Sequence, residues 1–337
     1  MDKRRVQWID VAKFFGIFAI YLGHFSDAAG LSYQFVFTHH VALFFLISGC
    51  TETFNQETHL GKYIIKKIKN VLLPFFFFSF LSIIIRIIST DASLGEIKQM
   101  LILVAKGAIR NTFFAGSLWF LTCLFVIEIV FMVIRQFKNN YMIFVLCLFI
   151  YILKLKIPGQ PSEPYGIYNI DSACRFLIYY AIGFLAFPVI HKLFSLHTQK
   201  SKKIITISAT ISFIYSILLF EKIDLLIGIT TIPIIDIFHQ IFTALLVIWL
   251  YFVVAYLFEN VSFFQDLGQT TLYLCGNEYI VKTLVSYFIR IVGLSINITN
   301  PLSAYLYTLT LLIIVYKFLI PIEEKMLHKL QALSIGN

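Results

Sequence analysis

The sequence predicts an all-α protein: one polytopic bundle of about ten membrane-spanning helices, forming a single domain over residues 1–337. Three observations predict it. Hydrophobic residues make up 59% of the chain and charged residues only 13%, roughly half the charge of a soluble domain. Water therefore cannot solvate most of the surface, and lipid must. Apolar stretches able to cross about 30 Å of hydrocarbon, roughly 20 residues each, recur from end to end. Lys and Arg gather in the connections, so the net charge of +9 reads as topogenic and headgroup-seeking charge. It does not read as a nucleic-acid surface.

In order, the expected spans are 8–27, 35–51, 70–89, 113–134, 141–157, 173–190, 204–220, 236–258, 270–290 and 302–321. The first follows a basic start and runs past His24 with no small-residue cleavage site, so it reads as a retained span. The second is short and carries His39 and His40. The third is preceded by Lys62, Lys66, Lys67 and Lys69 and opens at Pro74. Between the fifth and sixth, residues 158–172 are rich in Pro, Gly and Tyr and read as the longest outer loop. Residues 221–235, broken by charges and Pro233, read as a re-entrant or interfacial stretch. The eighth and tenth are uninterrupted.

Loop charge sets the orientation. With the N-terminus inside, inner connections hold Lys3, Arg4, Arg5, Lys62, Lys66, Lys67, Lys69, Arg135, Lys138, Lys192, Lys200, Lys202, Lys203, Lys325 and Lys329, fifteen in all. Outer connections hold six: Lys98, Lys106, Arg110, Lys154, Lys156 and Lys222. The positive-inside rule then places both termini in the cytoplasm, and the expected location is the cell membrane. The five cysteines are scattered with no paired spacing, which excludes a metal-site or disulfide pattern.

Charges inside spans are the informative residues. Lys13, Arg86, Arg175, Lys282, Arg290 and Lys317 each cost about 2.5–3.5 kcal/mol at a helix centre. Asp10, Glu128, Asp236 and Glu278 are available as partners. Asp10 with Lys13, and Asp171 with Arg175, fall one helical turn apart. End residues such as Arg290 and Lys317 can snorkel; the whole set points to an internal polar cavity. His24, after Gly23 in the outer half of the first span, suits proton abstraction from a hydroxyl near neutral pH. A lone histidine in a core is more often a hydrogen-bonded structural residue, and His39 or His40 could serve in its place. The lysines before Pro74 fit anionic headgroups, or the phosphates of a cytosolic nucleotide-like donor.

At these residues the chain resembles the membrane-bound acyltransferase-3 family, near its fucose-4-O-acetylase-like branch. WIDVAKFFGIFAIYLGHF places Asp10, Lys13 and His24 on the family's acidic, basic and histidine positions, with Lys for the usual Arg. ALFFLISGC resembles the aromatic run into Ser48 and Gly49, and KYIIKKIKNVLLPFF puts Lys67 and Lys69 where paired arginines are common. SLWFLTCLFVIE carries Trp119 and Glu128, and DSACRFLIYYAIGF carries Arg175. LGQTTLYLCGNEYIVK resembles the late motif, with Glu278 near a frequent histidine.

The resemblance implies transfer of an acetyl or short acyl group from cytosolic acyl-CoA, a co-substrate and not a bound cofactor, to a hydroxyl of an envelope or surface carbohydrate or its lipid-linked precursor. It implies catalytic roles for His24, Glu128 and Arg175. Lys66, Lys67, Lys69 and Ser48 would bind the donor, with Asp10, Lys13, Trp119 and Glu278 in support. Lys for Arg weakens bidentate phosphate recognition. The expected partners are acyl-CoA, the glycan acceptor and membrane lipid, with no nucleic acid and no metal; a homodimer is left open. The alternative from the same charges is a transporter or flippase for a lipid-linked or polar solute, though the halves show no inverted repeat.

Overall fold

Helices account for all the regular structure in the computed structural model, which describes residues 5–52, 60–90, 92–112, 116–154, 166–222 and 233–333; no strand occurs among them. The first eight are α1 (Gln7–Gly23), α2 (Leu31–Phe37), α3 (His40–Thr51), α4 (Leu60–Lys67), α5 (Leu73–Ser89), α6 (Leu94–Ala105), α7 (Trp119–Ile134) and α8 (Asn140–Lys154). Then come α9 (Ile170–Ser195), α10 (Gln199–Phe220), α11 (Pro233–Leu257), α12 (Ser262–Gln269), α13 (Thr271–Gly276), α14 (Glu278–Ile291), α15 (Pro301–Ile314) and α16 (Ile320–Leu333).

Seven helical runs among the described residues are long and apolar enough to span a bilayer: Leu31–Thr51, Leu60–Ser89, Trp119–Phe137, Ile167–Ser195, Gln199–Phe220, Phe238–Leu257 and Pro301–Ala332. The protein is a multi-pass, all-α membrane protein on that ground. Among the described residues, seven runs meet that length where ten spans were expected. α1 has 17 residues and the apolar α8 has 15. The expected span over 270–290 is divided among α13 and α14 after α12 ends at Gln269. The division between α13 and α14 falls at Asn277, with φ −91° and ψ −1°, next to Gly276, where any Cβ would run into the Phe78 ring.

A second difference lies at 90–112, which was expected as a plain connection. It contains α6, started by a capping box in which Ser93 accepts from the Glu96 N–H and Glu96 accepts from the Ser93 N–H. Residues 158–165 of the expected outer loop and 223–232 of the expected re-entrant stretch lie outside the described residues.

Two helices widen into a π turn, at Ile68–Leu72 and at Val315–Leu319. Both precede a proline by two residues, Pro74 and Pro321. A proline lacks an N–H and crowds the carbonyl four residues back, here that of Asn70 or Lys317, so the ladder is interrupted one turn upstream.

The chain forms two compact units. The first comprises Met1–Ile47, Ala186–Thr271 and Ile298–Leu312. α1 is its centre: most side chains from Trp8 to Leu22 are buried, and it packs most extensively against α12 and α11. Gly268 permits that approach, since a Cβ there would collide with the Asp10 carbonyl. Trp8 stands edge-on to Phe194 and Phe252, with ring centroids 5.2 and 5.0 Å away. α10 turns Ile204, Ile207, Ile211 and Ile214 outward and buries Ser212 and Ser216, while Trp249 donates to Ser208 at 3.0 Å. Small and polar residues inward with apolar residues outward is the pattern lipid demands, because lipid removes the apolar drive for helices to associate.

The second unit comprises Ser48–Leu185, Leu272–Asn297 and Ile313–Asn337. Here α5 packs on α14 and α6, and α7 packs on α4 and its π turn. Gly49 lies directly on the Tyr180 carbonyl, and a Cβ would not fit between them.

Candidate functional site

The second unit holds a buried ionic cluster where α4, α7 and α9 meet the end of α3. Lys67 donates to Glu128 at 2.5 Å and to Glu52 at 3.0 Å. Tyr180 donates to the same Glu52 oxygen at 2.6 Å and Tyr63 at 3.3 Å. The Lys67 ammonium also lies 5.0 Å from the Tyr63 ring centroid. All three charged side chains are largely shielded, at 13% exposure for Lys67 and 8% or less for the two carboxylates. Arg135, whose guanidinium sits 4.5 Å from the Phe184 ring centroid, is within electrostatic reach of Glu52. Lys62 and Lys66 are exposed beside this cluster and Lys69 is half-buried.

A polar knot orders the start of α7 in the same unit. Asn169 is fully buried and left-handed, with φ of 57° after Tyr168 at 54°. Its amide donates to Gly107 O at 3.0 Å and Thr122 Oγ1 at 2.9 Å, and its oxygen accepts from the Arg110 N–H at 2.9 Å. Tyr168 donates to Lys106 O at 2.8 Å. Together these bonds staple the 106–110 turn to the head of α9. Arg110 then lies 5.4 Å from the Trp119 ring centroid, Trp119 lies 6.2 Å from Phe176, and Arg175 lies 5.9 Å from the Phe176 ring. Burial, with Arg175 nearby, pushes Arg110 below its ordinary pKa, offset in part by Asp171.

Two further polar contacts tie down α14. Lys282 donates to the buried Glu278 at 2.7 Å, one turn apart on one helix face. Asn277 donates to Glu323 at 2.5 Å.

The first unit carries the three candidate histidines, His24, His39 and His40. His24 ends α1 as its C-cap and is exposed. Gly23 lets the end of α1 close on α2: a Cβ there would stand 3.2 Å from both Phe37 and Val36. His24 thereby comes within electrostatic reach of His40. His40 donates from Nδ1 to the Val36 carbonyl at 2.5 Å, which leaves the lone pair of the neutral ring on Nε2. His39 is enclosed by the Tyr251 and Phe35 rings, 4.5 and 5.2 Å away. At the N-terminal end of α1, Asp10 accepts from Arg5 at 2.5 Å and pairs with Lys13 at 3.5 Å.

The sequence model of the acyltransferase domain family, acyltransferase-3, matches residues 6–319. The chain belongs to the acyltransferase-3 family. No curated protein and no solved structure matches it.

Within this acyltransferase-3 chain, the expected Asp10–Lys13 pair forms. Glu128 meets Lys67, so two residues assigned to different tasks from sequence share one ion pair. Arg175 and Trp119 instead accompany Arg110, about nine residues up α7 from Glu128, or roughly 14 Å along the axis. Ser48 begins the second unit one residue before the Gly49 contact. Four of the five cysteines are buried and all are free, Cys174 being half-buried. Sequence reasoning missed Glu52, Tyr180, Arg110 and Asn169. The signal for Asn169 was its residue type, since Asn tolerates the left-handed region better than most. Glu52 offered only its place after the Ser-Gly step.

Proposed function

We propose that this membrane acyltransferase moves an acetyl or other short acyl group from cytosolic acyl-CoA to a hydroxyl of an envelope carbohydrate or its lipid-linked precursor, as in the fucose-4-O-acetylase-like branch. It would act in the cell membrane with both termini cytoplasmic. The observation that carries the donor side is the lysine cluster of α4 and its π turn: exposed Lys62 and Lys66 and half-buried Lys69 flank in sequence a Lys67 locked to two carboxylates. Such an edge supplies mobile cations for the donor's phosphates on a rigid base. Ser48 is assigned to the same donor side.

In the reaction, the acceptor oxygen attacks the thioester carbonyl, the C–O bond forms and the C–S bond breaks. His24 takes the hydroxyl proton and returns it to the departing CoA sulfur, so the products are the ester and the free thiol. Glu128 holds Lys67 in place and Arg175 stabilises negative charge. Asp10 and Lys13 brace α1, Trp119 lines the head of α7, and Glu278 anchors α14. Neither a resident metal nor a cofactor enters this scheme.

Incubating the purified chain with radiolabelled acetyl-CoA and a membrane glycolipid fraction tests the reading. Thiol release coupled to label in the glycolipid supports it. Label that stays on acetyl-CoA in every fraction overturns it.

A further inference from the structure

The head of α7 carries a second cationic site, apart from the lysines assigned to the donor's phosphates. Two guanidiniums, Arg110 and Arg175, lie on an aromatic floor of Trp119 and Phe176, at 5.4 and 5.9 Å from the respective ring centroids. Trp119 and Phe176 are each 8% exposed. The turn that carries Arg110 is fixed through its own N–H to the buried Asn169. Arg175 and Asp171 both lie within electrostatic reach of Arg110. Guanidiniums braced on aromatic rings keep their forks oriented, and the group they match is a planar carboxylate or a phosphate, bound bidentately.

We infer that Arg110 and Arg175 form an anion-binding subsite for the acyl acceptor. The acceptor is thus an acidic saccharide, carrying a carboxylate or a phosphate near the hydroxyl that is acylated. This rests on the acyl-CoA reading above, in which the α4 lysines take the donor phosphates. The two cationic sites lie roughly 14 Å apart along α7, which suits one charge site for each substrate.

The test uses the full chain in neutral phosphatidylcholine nanodiscs, with binding followed by tryptophan fluorescence and thermal shift. The probes are pyrophosphate for a phospho-linked sugar, glucuronate for an acidic sugar, and glucose as the neutral control. At least one anion should bind saturably where glucose does not, and CoA should not displace it. Arg110→Gln and Arg175→Gln should weaken it by about tenfold or more, while Arg110→Lys, which keeps the charge, should retain part of the binding and guards against misfolding. Binding of pyrophosphate alone or of glucuronate alone names the source of the anion. Equal binding of glucose, displacement by CoA, or full affinity in both glutamine variants overturns the subsite. If anion binding depends on Arg110 but labelled acetyl-CoA is never consumed, the subsite stands and the acyl-transfer reading falls. If transfer proceeds and neither anion binds, the reverse holds.

Discussion

Lys67 and Glu128, 61 residues apart in the chain, form a 2.5 Å ion pair between α4 and α7. Glu52 accepts from the same ammonium at 3.0 Å, so Lys67 separates two carboxylates that would otherwise repel. Removing one member of a buried pair costs about 3 kcal/mol or more, because the other charge is left without compensation. Lys67→Met should therefore lower the melting temperature of the detergent-solubilised protein sharply. Lys67→Met combined with Glu128→Gln should recover part of it. If Lys67 acted on donor phosphates alone, the single variant would melt like the parent and lose only acyl-CoA affinity.

Two glycines separate a packing requirement from a propensity effect. At Gly49 a Cβ would overlap the Tyr180 carbonyl, whereas at Gly61 no atom of the described residues lies within 4 Å. Gly49→Ala forces a backbone shift between α3 and α9 and should destabilise by about 1–3 kcal/mol. Gly61→Ala, in the exposed first turn of α4, should be neutral or stabilising by up to about 1 kcal/mol. Thermal unfolding of the two variants side by side checks this. Equal melting temperatures would mean the close approach of Gly49 to Tyr180 is not made.

Those contacts show what could and could not be read from the residues alone. Asp10 and Lys13 pair as their spacing demands, since a three-residue separation stacks side chains on one helix face whatever surrounds them. The seven long apolar runs are visible as composition. The partners of Lys67 are not, because Glu52 and Glu128 reach it only through tertiary packing. The division of the expected ninth span was hidden because hydropathy averaged over a window blurs Gly276, Asn277 and Glu278 into their apolar neighbours. The helix α6 did carry a local signal: Ser93 and Glu96 stand at capping-box spacing. The knot at Asn169 depends on two consecutive left-handed residues, a backbone fact with almost no trace in composition.

That knot gives the third prediction. Asn169 satisfies the Gly107 carbonyl and the Arg110 N–H at once and holds a φ of 57° that costs ordinary residues about 1–2 kcal/mol. Asn169→Ala loses the bonds and keeps the strain, so it should destabilise by roughly 2–4 kcal/mol. Asn169→Gly relieves the strain and still loses the bonds, and should fall between the two. Limited proteolysis of the 106–112 turn gives a second readout. An Asn169→Ala turn as protected as the parent's would contradict the stapling role.

The histidines permit a sharper separation of chemistry from packing. His24 is exposed at the end of α1, so truncating it empties no cavity. His39, 1% exposed, fills the space between Tyr251 and Phe35. His39→Ala should therefore lower the melting temperature, with any loss of transfer following the loss of fold. His24→Ala should melt like the parent and lose acyl transfer by about 10²–10⁴-fold, the contribution expected of a general base. The two are compared by measuring melting temperature and labelled-acetyl transfer on the same preparations. Should His24→Ala keep full transfer while His40→Ala abolishes it without unfolding, the base would be the imidazole that the Val36 carbonyl orients.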